Sequence, residues 1–165
     1  MSEFSRFAPV PVPINRDSEL YTGVLELNFQ AVEQSIGSIG KQLQAFNSVF
    51  LEFTAGEALD LNTLCYLDTS GQMVKADASA EATCSNLLGV SSSAVASGAT
   101  GKFLIKGILK TTGLTTGKIM YVDTTPGQWT YSKPGSSGEI IRIIGYALDS
   151  THLFFEPDRT WTEIQ

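Results

Sequence analysis

The sequence predicts a mainly β protein with an N-terminal helix, in which an extended arm and a trimeric coiled coil precede a small antiparallel β-barrel or sandwich. Three observations lead to this prediction. Residues 1–16 are rich in proline, residues 17–50 repeat apolar side chains at helical spacing, and residues 51–165 are rich in Gly and Thr with short apolar runs. We therefore divide the chain into an arm, 1–16, a coiled-coil helix, 17–50, and a β domain, 51–165.

The arm is predicted to be extended. Prolines alternate with apolar residues from Pro9 to Ile14, and proline has no backbone N–H to donate within a helix or a sheet. One interpretation is a disordered leader, and the other is an arm that docks onto another protein. In the second interpretation the docking residues are the apolar ones, which are Phe4, Phe7, Val10, Val12 and Ile14.

The helical segment carries a heptad pattern. Asp17 or Ser18 can cap a helix, and apolar residues then follow one another at alternating steps of four and three. This spacing fills the a and d positions of a coiled coil, with an expected length on the order of 40 Å. The residues in the pattern are Leu25, Phe29, Val32, Ile36, Ile39, Leu43, Phe46 and Phe50.

The alternative to a coiled coil is an amphipathic helix that packs on the protein's own β domain. Such a helix usually has a wider apolar stripe than the a and d positions provide. Gly23, Gly37 and Gly40 each weaken an isolated helix by about 1 kcal/mol, so this one needs partners. Isoleucine at both an a position, Ile36, and a d position, Ile39, favours trimers or tetramers. The predicted partner is therefore the chain itself, in a parallel homotrimer.

The β domain is predicted from apolar runs that are separated by turn residues. Their spacing suits a small antiparallel barrel or sandwich. The runs lie at 61–67, 72–76, 86–91, 102–110, 118–122, 128–132, 139–148 and 152–156.

One phrase occurs twice in this domain, as YLDTSGQMV at 66–74 and as YVDTTPGQWTY at 121–131. In each copy an apolar strand ends at Asp and resumes after Gly, as expected for a tight hairpin, and Pro126 is an insertion. Leu88-Gly89-Val90 and Ile144-Gly145-Tyr146 then match at nearly the same distance downstream, where glycine indicates a bulge or a close backbone approach. Chance similarity is the alternative, but two matched landmarks favour a duplicated hairpin unit.

The order of these segments resembles the small β domain of bacteriophage capsid-decoration and head-fibre proteins, and of some tail-fibre proteins. The resemblance covers about residues 56–156, from GEALDLNTLCYLDTSGQMVKADA through LLGVSSSAVASG and KFLIKGILKTTGLTTGKIMYVDTTPGQ to IIGYAL. It implies a non-enzymatic virion structural protein, a trimeric head fibre attached to the capsid through its N-terminal region and assembled in the host cytoplasm. The implied docking partner is the major capsid protein or another virion protein. The proline arm and the heptads depart from the pattern and leave head and tail both open.

The charge argues against nucleic acid or a membrane as the main partner. The chain has 11 Lys and Arg against 17 Asp and Glu, so its net charge of −6 provides no basic stripe for phosphates. We find no signal-peptide pattern and no apolar run as long as a membrane span. Cys65 and Cys84 are expected to be free, buried thiols, since a virion protein is made in a reducing compartment.

The residues that catalysis requires are sparse, so we predict no catalytic residue, no metal site and no cofactor. His152 is the sole histidine, and the two cysteines lack the paired spacing of a zinc site. The segment GLTTGKI at 113–119 is one residue shorter than a phosphate-binding loop and has Ile in place of Ser or Thr. We interpret Asp68 and Asp123 as hairpin-turn residues rather than a glycosidase pair.

Two aromatic residues leave a second function open. Trp129 and Tyr131 occupy alternate strand positions, where they either cover one face of the sheet or stack on a sugar. The alternative hypothesis is therefore a tail-fibre or adsorption protein whose β tip binds a host surface glycan. Trp161, in the C-terminal tail, is interpreted as a clasp on the protein's body or on a neighbouring subunit.

Overall fold

The computed structural model describes residues 29–36 and 48–165, which belong to two separate units, Met1–Lys41 and Gln42–Gln165. In the first unit, residues 29–36 form a helix, α1. The predicted docking arm, residues 1–16, lies outside the described residues, and so do the coiled-coil positions Leu25, Ile39, Leu43 and Phe46. No helix within the described ranges is both long enough and apolar enough to span a bilayer.

The second unit is built mainly from short strands, which confirms the predicted β class. A 3₁₀ turn lies at Glu81–Thr83. Every predicted apolar run contains a strand, and the run at 139–148 contains two. The strands are β1 (Val49–Ala55), β2 (Leu64–Leu67), β3 (Gln72–Lys75), β4 (Leu88–Ser91), β5 (Thr100–Lys110), β6 (Ile119–Val122), β7 (Trp129–Thr130), β8 (Ile140–Ile141), β9 (Ile143–Ala147), β10 (His152–Phe155) and β11 (Thr162–Glu163).

Strand β1 corrects the predicted end of the helix. Val49 and Phe50 belong to this strand and Ser48 is not helical, so Phe50 is not a coiled-coil position. The boundary placed between residues 50 and 51 therefore falls inside a strand. The sequence VFLEFT is rich in β-branched and aromatic residues, and it pairs along its whole length with β5 in antiparallel register. This long-range pairing fixes the strand conformation.

Nine strands form one mixed sheet in the order β1-β3-β2-β4-β5-β10-β9-β6-β7, while β8 pairs with β11. Strand β1 also pairs with β5, so the pairings of the first five strands return to their starting point. An odd number of strands in such a circuit cannot alternate in direction throughout. One pair must be parallel, and it is β1 with β3. The prediction of a purely antiparallel sheet is wrong at this pair.

Both copies of the repeated phrase form an antiparallel hairpin, β2–β3 in the first copy and β6–β7 in the second. The first strand of each hairpin also pairs with a strand that contains glycine. Cys65 of β2 lies opposite Gly89 of β4, and Met120 of β6 lies opposite Gly145 of β9. The matched landmarks of the sequence are thus neighbours across the sheet. The two registers agree at these glycines, and an irregularity after Met120 shifts the second copy.

The turns of the two hairpins use the same chemistry. The carboxylates of Asp68 and Asp123 each accept a hydrogen bond from the amide two residues later, at 2.9 and 2.7 Å. Gly71 and Gly127 have φ values of 78° and 81°, a left-handed conformation that glycine adopts without steric cost. Both aspartates are therefore turn residues, as predicted.

The correspondence extends upstream into segments whose sequences differ. Asn62 and Gly117 stand at the same place before the first hairpin strand, with φ values of 62° and 77°. Asn62 holds this left-handed conformation while its side-chain amide donates to the carbonyl of Lys110 at 3.2 Å. The backbone geometry is thus repeated where the residue type is not.

Strand β5 serves both hairpins. Its first part, up to Lys106, pairs with β1 and β4, and its second part, from Gly107, pairs with β10. We call β1 to β4 with the first part of β5 the first hairpin unit. The second hairpin unit comprises the second part of β5 with β6, β7, β9 and β10. One continuous strand therefore joins the two units.

Two clusters of buried side chains lie on either side of the strands of the first hairpin unit. Leu64 and Leu104 belong to the larger cluster, whereas their chain neighbours Cys65 and Phe103 belong to the smaller one. Successive side chains of a strand point to opposite faces, so β2 and β5 separate the two clusters. The larger cluster continues through the strands of the second hairpin unit. It therefore packs the two hairpin units against each other.

Candidate functional site

Helix α1 presents the described part of the predicted coiled-coil stripe. Phe29, Val32 and Ile36 lie on one face of the helix, because steps of three and four residues return to the same side. These residues are 68%, 53% and 64% exposed. Exposed apolar area costs about 25 cal/mol per Å² relative to burial. The stripe is therefore a surface that a partner would stabilise.

A second apolar surface lies at the start of β1. Val49, Phe50 and Leu51 are all exposed, and the ammonium group of Lys102 lies 5.0 Å from the centroid of the Phe50 ring. Within residues 48–165 this stretch pairs with β5 alone, since pairing to β3 begins at Thr54. Among the same residues, its other backbone edge has no pairing along the apolar stretch. This surface was not predicted, because the heptad spacing had placed Val49 and Phe50 in the helix.

Trp129 and Tyr131, the residues predicted for glycan contact, are both partly buried against the larger cluster. The Tyr131 hydroxyl accepts a hydrogen bond from the amide of Thr115 and donates to the carbonyl of Gly113 at 3.4 Å. Both side chains therefore cover the core by packing, and the hydrogen bonds also hold Tyr131 in place. Contact with a glycan stays a prediction.

Cys65 and Cys84 are free and buried, as predicted. Burial, with the negative charge of Glu57 nearby, raises the pKa of the Cys65 thiol to about 12. Burial also raises the pKa of Cys84 to about 11, although the positive charge of Arg142 opposes the shift. Both thiols are protonated at neutral pH and are weak nucleophiles.

His152 lies in a local turn with Asp149. Its Nδ1 atom is 2.8 Å from Asp149 Oδ2, and the amides of Thr151 and His152 both donate to the same carboxylate. The hydrogen bonds from Thr151, followed by that from His152, lower the pKa of Asp149 to about 2. Across the described part of the chain, no group of three or more His, Cys, Asp or Glu side chains is placed to hold a metal ion.

A cleft of about 490 Å³ opens between the residues before β4, the middle of β5 and the segment that follows β10. Its lining combines apolar and charged residues with Ser85 and Asn86. We call the four apolar residues the apolar wall, and they are Leu87, Leu88, Ile105 and Pro157. The charged residues of the lining are Lys106, Arg142, Glu156 and Arg159.

Arg142, between β8 and β9, is the buried cation of this cleft and is only 5% exposed. Its Nε donates to the carbonyl of Asp158 at 2.9 Å, and Nη1 donates to the carbonyls of Cys84 and Asn86. The guanidinium carbon lies 5.7 Å from the centroid of the Trp161 ring, which places Trp161 against the body of its own chain. Burial lowers the pKa of Arg142, yet a guanidinium remains charged at neutral pH.

The charges around the cleft are not balanced. Lys106 forms an ion pair with Glu156, while Arg159 is exposed at the mouth. Within the part of the chain that the structure describes, Arg142 has no carboxylate within ion-pair distance. The lining therefore carries an excess of positive charge, although the chain as a whole has a net charge of −6.

The chain matches no protein-family model, and no curated protein matches it at a significant level.

Proposed function

We propose that this chain is a non-enzymatic phage virion structural protein, a trimeric head fibre or capsid-decoration protein attached to the capsid through its N-terminal region. The observation that carries the proposal is the stripe of α1, where Phe29, Val32 and Ile36 are each more than half exposed. The stripe lies between a proline-rich arm suited to docking and a β tip. In this proposal the arm contacts the capsid, the helices associate and the tips project.

The stripe supports association with identical chains. Phe29 and Ile36 at a positions and Val32 at a d position match the inward-facing residues of a parallel coiled coil. Burying a side chain of this size contributes about 1.5–3 kcal/mol, so several heptads in three chains offset the glycines of the helix. The e and g residues offer no opposite charges that would select a different partner.

In the same proposal, residues 48–165 form a small barrel-like tip derived from a duplicated hairpin unit. Two features support it. The pairings of the first five strands return to β1, and the second hairpin repeats the register and the turn geometry of the first. A closed arrangement has few free sheet edges, which suits a protein displayed at high density on a particle.

The association is tested by multi-angle light scattering of the full chain. The wild type is expected at three times the chain mass of 17.8 kDa, and the double variant Val32→Asp/Ile36→Asp at one chain mass. The control is Gln30→Asp/Gln34→Asp, which adds the same two charges at the same spacing on the opposite face of α1 and should leave the trimer intact. A wild type that remains at one chain mass at high concentration would overturn the proposal. Circular dichroism should show unchanged strand content in every variant.

The location is tested on particles of the phage that encodes the chain, labelled with an antibody against residues 48–165 and imaged by electron microscopy. Label spread over the head supports the head-fibre form of the proposal. Label at the tail supports the alternative, an adsorption protein whose tip binds a host glycan and whose partly exposed Trp129 and Tyr131 are available for stacking. Particles without label would refute both virion roles.

The alternative also has a direct assay. A host glycan that binds the wild type saturably, and binds Trp129→Ala at least about tenfold more weakly, would support stacking on this residue. Because Trp129 packs on the core, thermal unfolding of the variant must accompany the binding measurement.

A further inference from the structure

We propose that the cleft beside Arg142 is a binding site for a small organic anion, a carboxylate or phosphate carried on a sugar-sized body. Arg142 would orient the anionic group, Lys106 and Arg159 would attract it at the mouth, and the apolar wall would hold the body of the ligand. The proposal concerns residues 84–159 and does not rest on the trimer.

One nitrogen of the Arg142 guanidinium makes no hydrogen bond within the described residues. A guanidinium donates through Nε, Nη1 and Nη2. Nε and Nη1 of Arg142 are occupied by the carbonyls of Asp158, Cys84 and Asn86, whereas Nη2 has no partner among residues 29–36 and 48–165. Those described residues contain no fully buried side-chain nitrogen without a partner, so Nη2 is not completely buried. Arg142 is one of the residues that line the cleft.

The charges around Arg142 also favour an anion. Arg142 is buried, its hydrogen-bond acceptors are neutral carbonyl oxygens, and the Asp158 carboxylate acts on it from beyond ion-pair distance. A buried cation without an ionic partner is unfavourable, so an anion in contact with Nη2 would gain more than it would at an exposed arginine. Lys106 already neutralises Glu156, and Arg159 adds a further cation at the mouth. The local field therefore favours an anion within an otherwise acidic protein.

The size and lining of the cleft also suit a small molecule. A volume of about 490 Å³ lies within the range of small-molecule sites, which combine apolar walls with a few fixed polar groups. Leu88 is paired with Tyr66 in the sheet, Ile105 lies within β5, and the hydrogen bonds of Arg142 tie the residues before β4 to the segment after β10. The cleft is thus formed before any ligand arrives. Its apolar wall fits a ligand with a carbon skeleton better than a bare inorganic ion.

The test is a titration of the ¹⁵N-labelled full chain with glucuronic acid, glucose 6-phosphate and glucose, which share one ring and differ in the anionic group. The Arg142 Nε–H signal and the amides of Asn86 and Leu88 report on the cleft. We expect saturable shifts with at least one of the two anions, at an affinity at least about tenfold higher than for glucose. Binding of glucuronic acid alone would identify a carboxylate ligand, and binding of glucose 6-phosphate alone a phosphate ligand.

Three variants separate a binding site from a purely structural arginine. Arg159→Gln removes an exposed cation of the cleft and should weaken binding at least about fivefold. Glu156→Gln removes the carboxylate of the lining and should strengthen it. Lys133→Ala removes an exposed charge elsewhere on the same unit and should change nothing. None of these side chains is buried, so the fold is retained in each.

The proposal is overturned if neither anion shifts the cleft signals, if glucose binds as well as the anions, or if Lys133→Ala weakens binding as much as Arg159→Gln does. Arg142→Lys keeps the charge and loses the planar fork of the guanidinium. If its thermal stability equals that of the wild type, this variant should bind the anion more weakly. If Arg142→Lys lowers the stability, the variants at Arg159 and Glu156 decide the outcome.

Discussion

Burial raises the pKa values of the two cysteine thiols, to about 12 for Cys65 and to about 11 for Cys84. Because the thiolate is the reactive form, neither residue should react with Ellman's reagent in the folded protein at pH 8. Both should react when urea unfolds the chain, which makes the absorbance a measure of unfolding. Cys84 should be modified before Cys65 as the pH is raised. Rapid modification of one thiol per native chain would contradict the described burial.

The carboxylate of Asp149 links the turn at residues 149–152 to pH. Its pKa in the folded protein is lowered from 3.8 to about 2, mainly by the backbone hydrogen bond from Thr151. Its stabilising effect on the turn is therefore fully present above about pH 4 and is lost as the pH falls toward 2. The amide signals of Thr151 and His152 should titrate with a midpoint near the lowered value. In Asp149→Asn this titration should disappear, and a midpoint near pH 4 in the wild type would contradict the turn geometry.

Sequence reasoning did not select the buried Arg142, to which we assign the proposed anion site. The signal in the sequence was a single arginine inside the apolar run EIIRIIGY. Its importance depends on carbonyls of residues 84, 86 and 158, which are far away along the chain. Strand periodicity cannot show which carbonyl groups will surround a side chain, so the cleft became visible only in the structure.

Among the strands, the glycines of β4 and β9 provide a matched pair for mutation. A Cβ at Gly145 would overlap the backbone carbonyl of Phe154, and φ there is 149°. A Cβ at Gly89 would meet the flexible ends of Met73 and Ile105, at 2.9 and 3.0 Å. We expect Gly145→Ala to cost about 2–4 kcal/mol in free energy of unfolding, because the backbone can neither relax nor move away.

The control is Gly89→Ala, which should cost about 1–2 kcal/mol because side-chain ends can shift. Urea unfolding followed by circular dichroism measures both values. Equal losses at the two positions would mean that the approach of β10 to β9 is not what requires glycine.

The strand prediction succeeded where apolar runs were bounded by turn residues, and it failed at β1. The step from Phe46 to Phe50 continues the heptad spacing, so period alone could not separate helix from strand there. The decisive partner of β1 is the segment 100–106, which is distant in sequence. The parallel pairing of β1 with β3 was missed for a related reason, since it follows from how many strands complete the circuit.

For the molecule as a whole, the shared strand β5 predicts that the two hairpin units unfold together. Leu153 of β10 is fully buried in the larger cluster, so Leu153→Ala should cost about 2–5 kcal/mol. Because β5 runs through both units, the loss should lower the urea midpoint of amides in β2 as much as that of amides in β9. Hydrogen exchange of single amides measures both. A first hairpin unit that kept its wild-type midpoint would show that β5 does not couple the halves.

The pairing of β1 with β5 also sets an order of events during translation. The ribosome completes Val49–Ala55 well before Thr100–Lys106, the segment that pairs with it. At about 5–20 residues per second, β1 waits several seconds for its partner, with its apolar side chains uncovered. The N-terminal segment emerges earlier still, so in the proposed trimer neighbouring nascent chains would have time to associate before β1 pairs with β5.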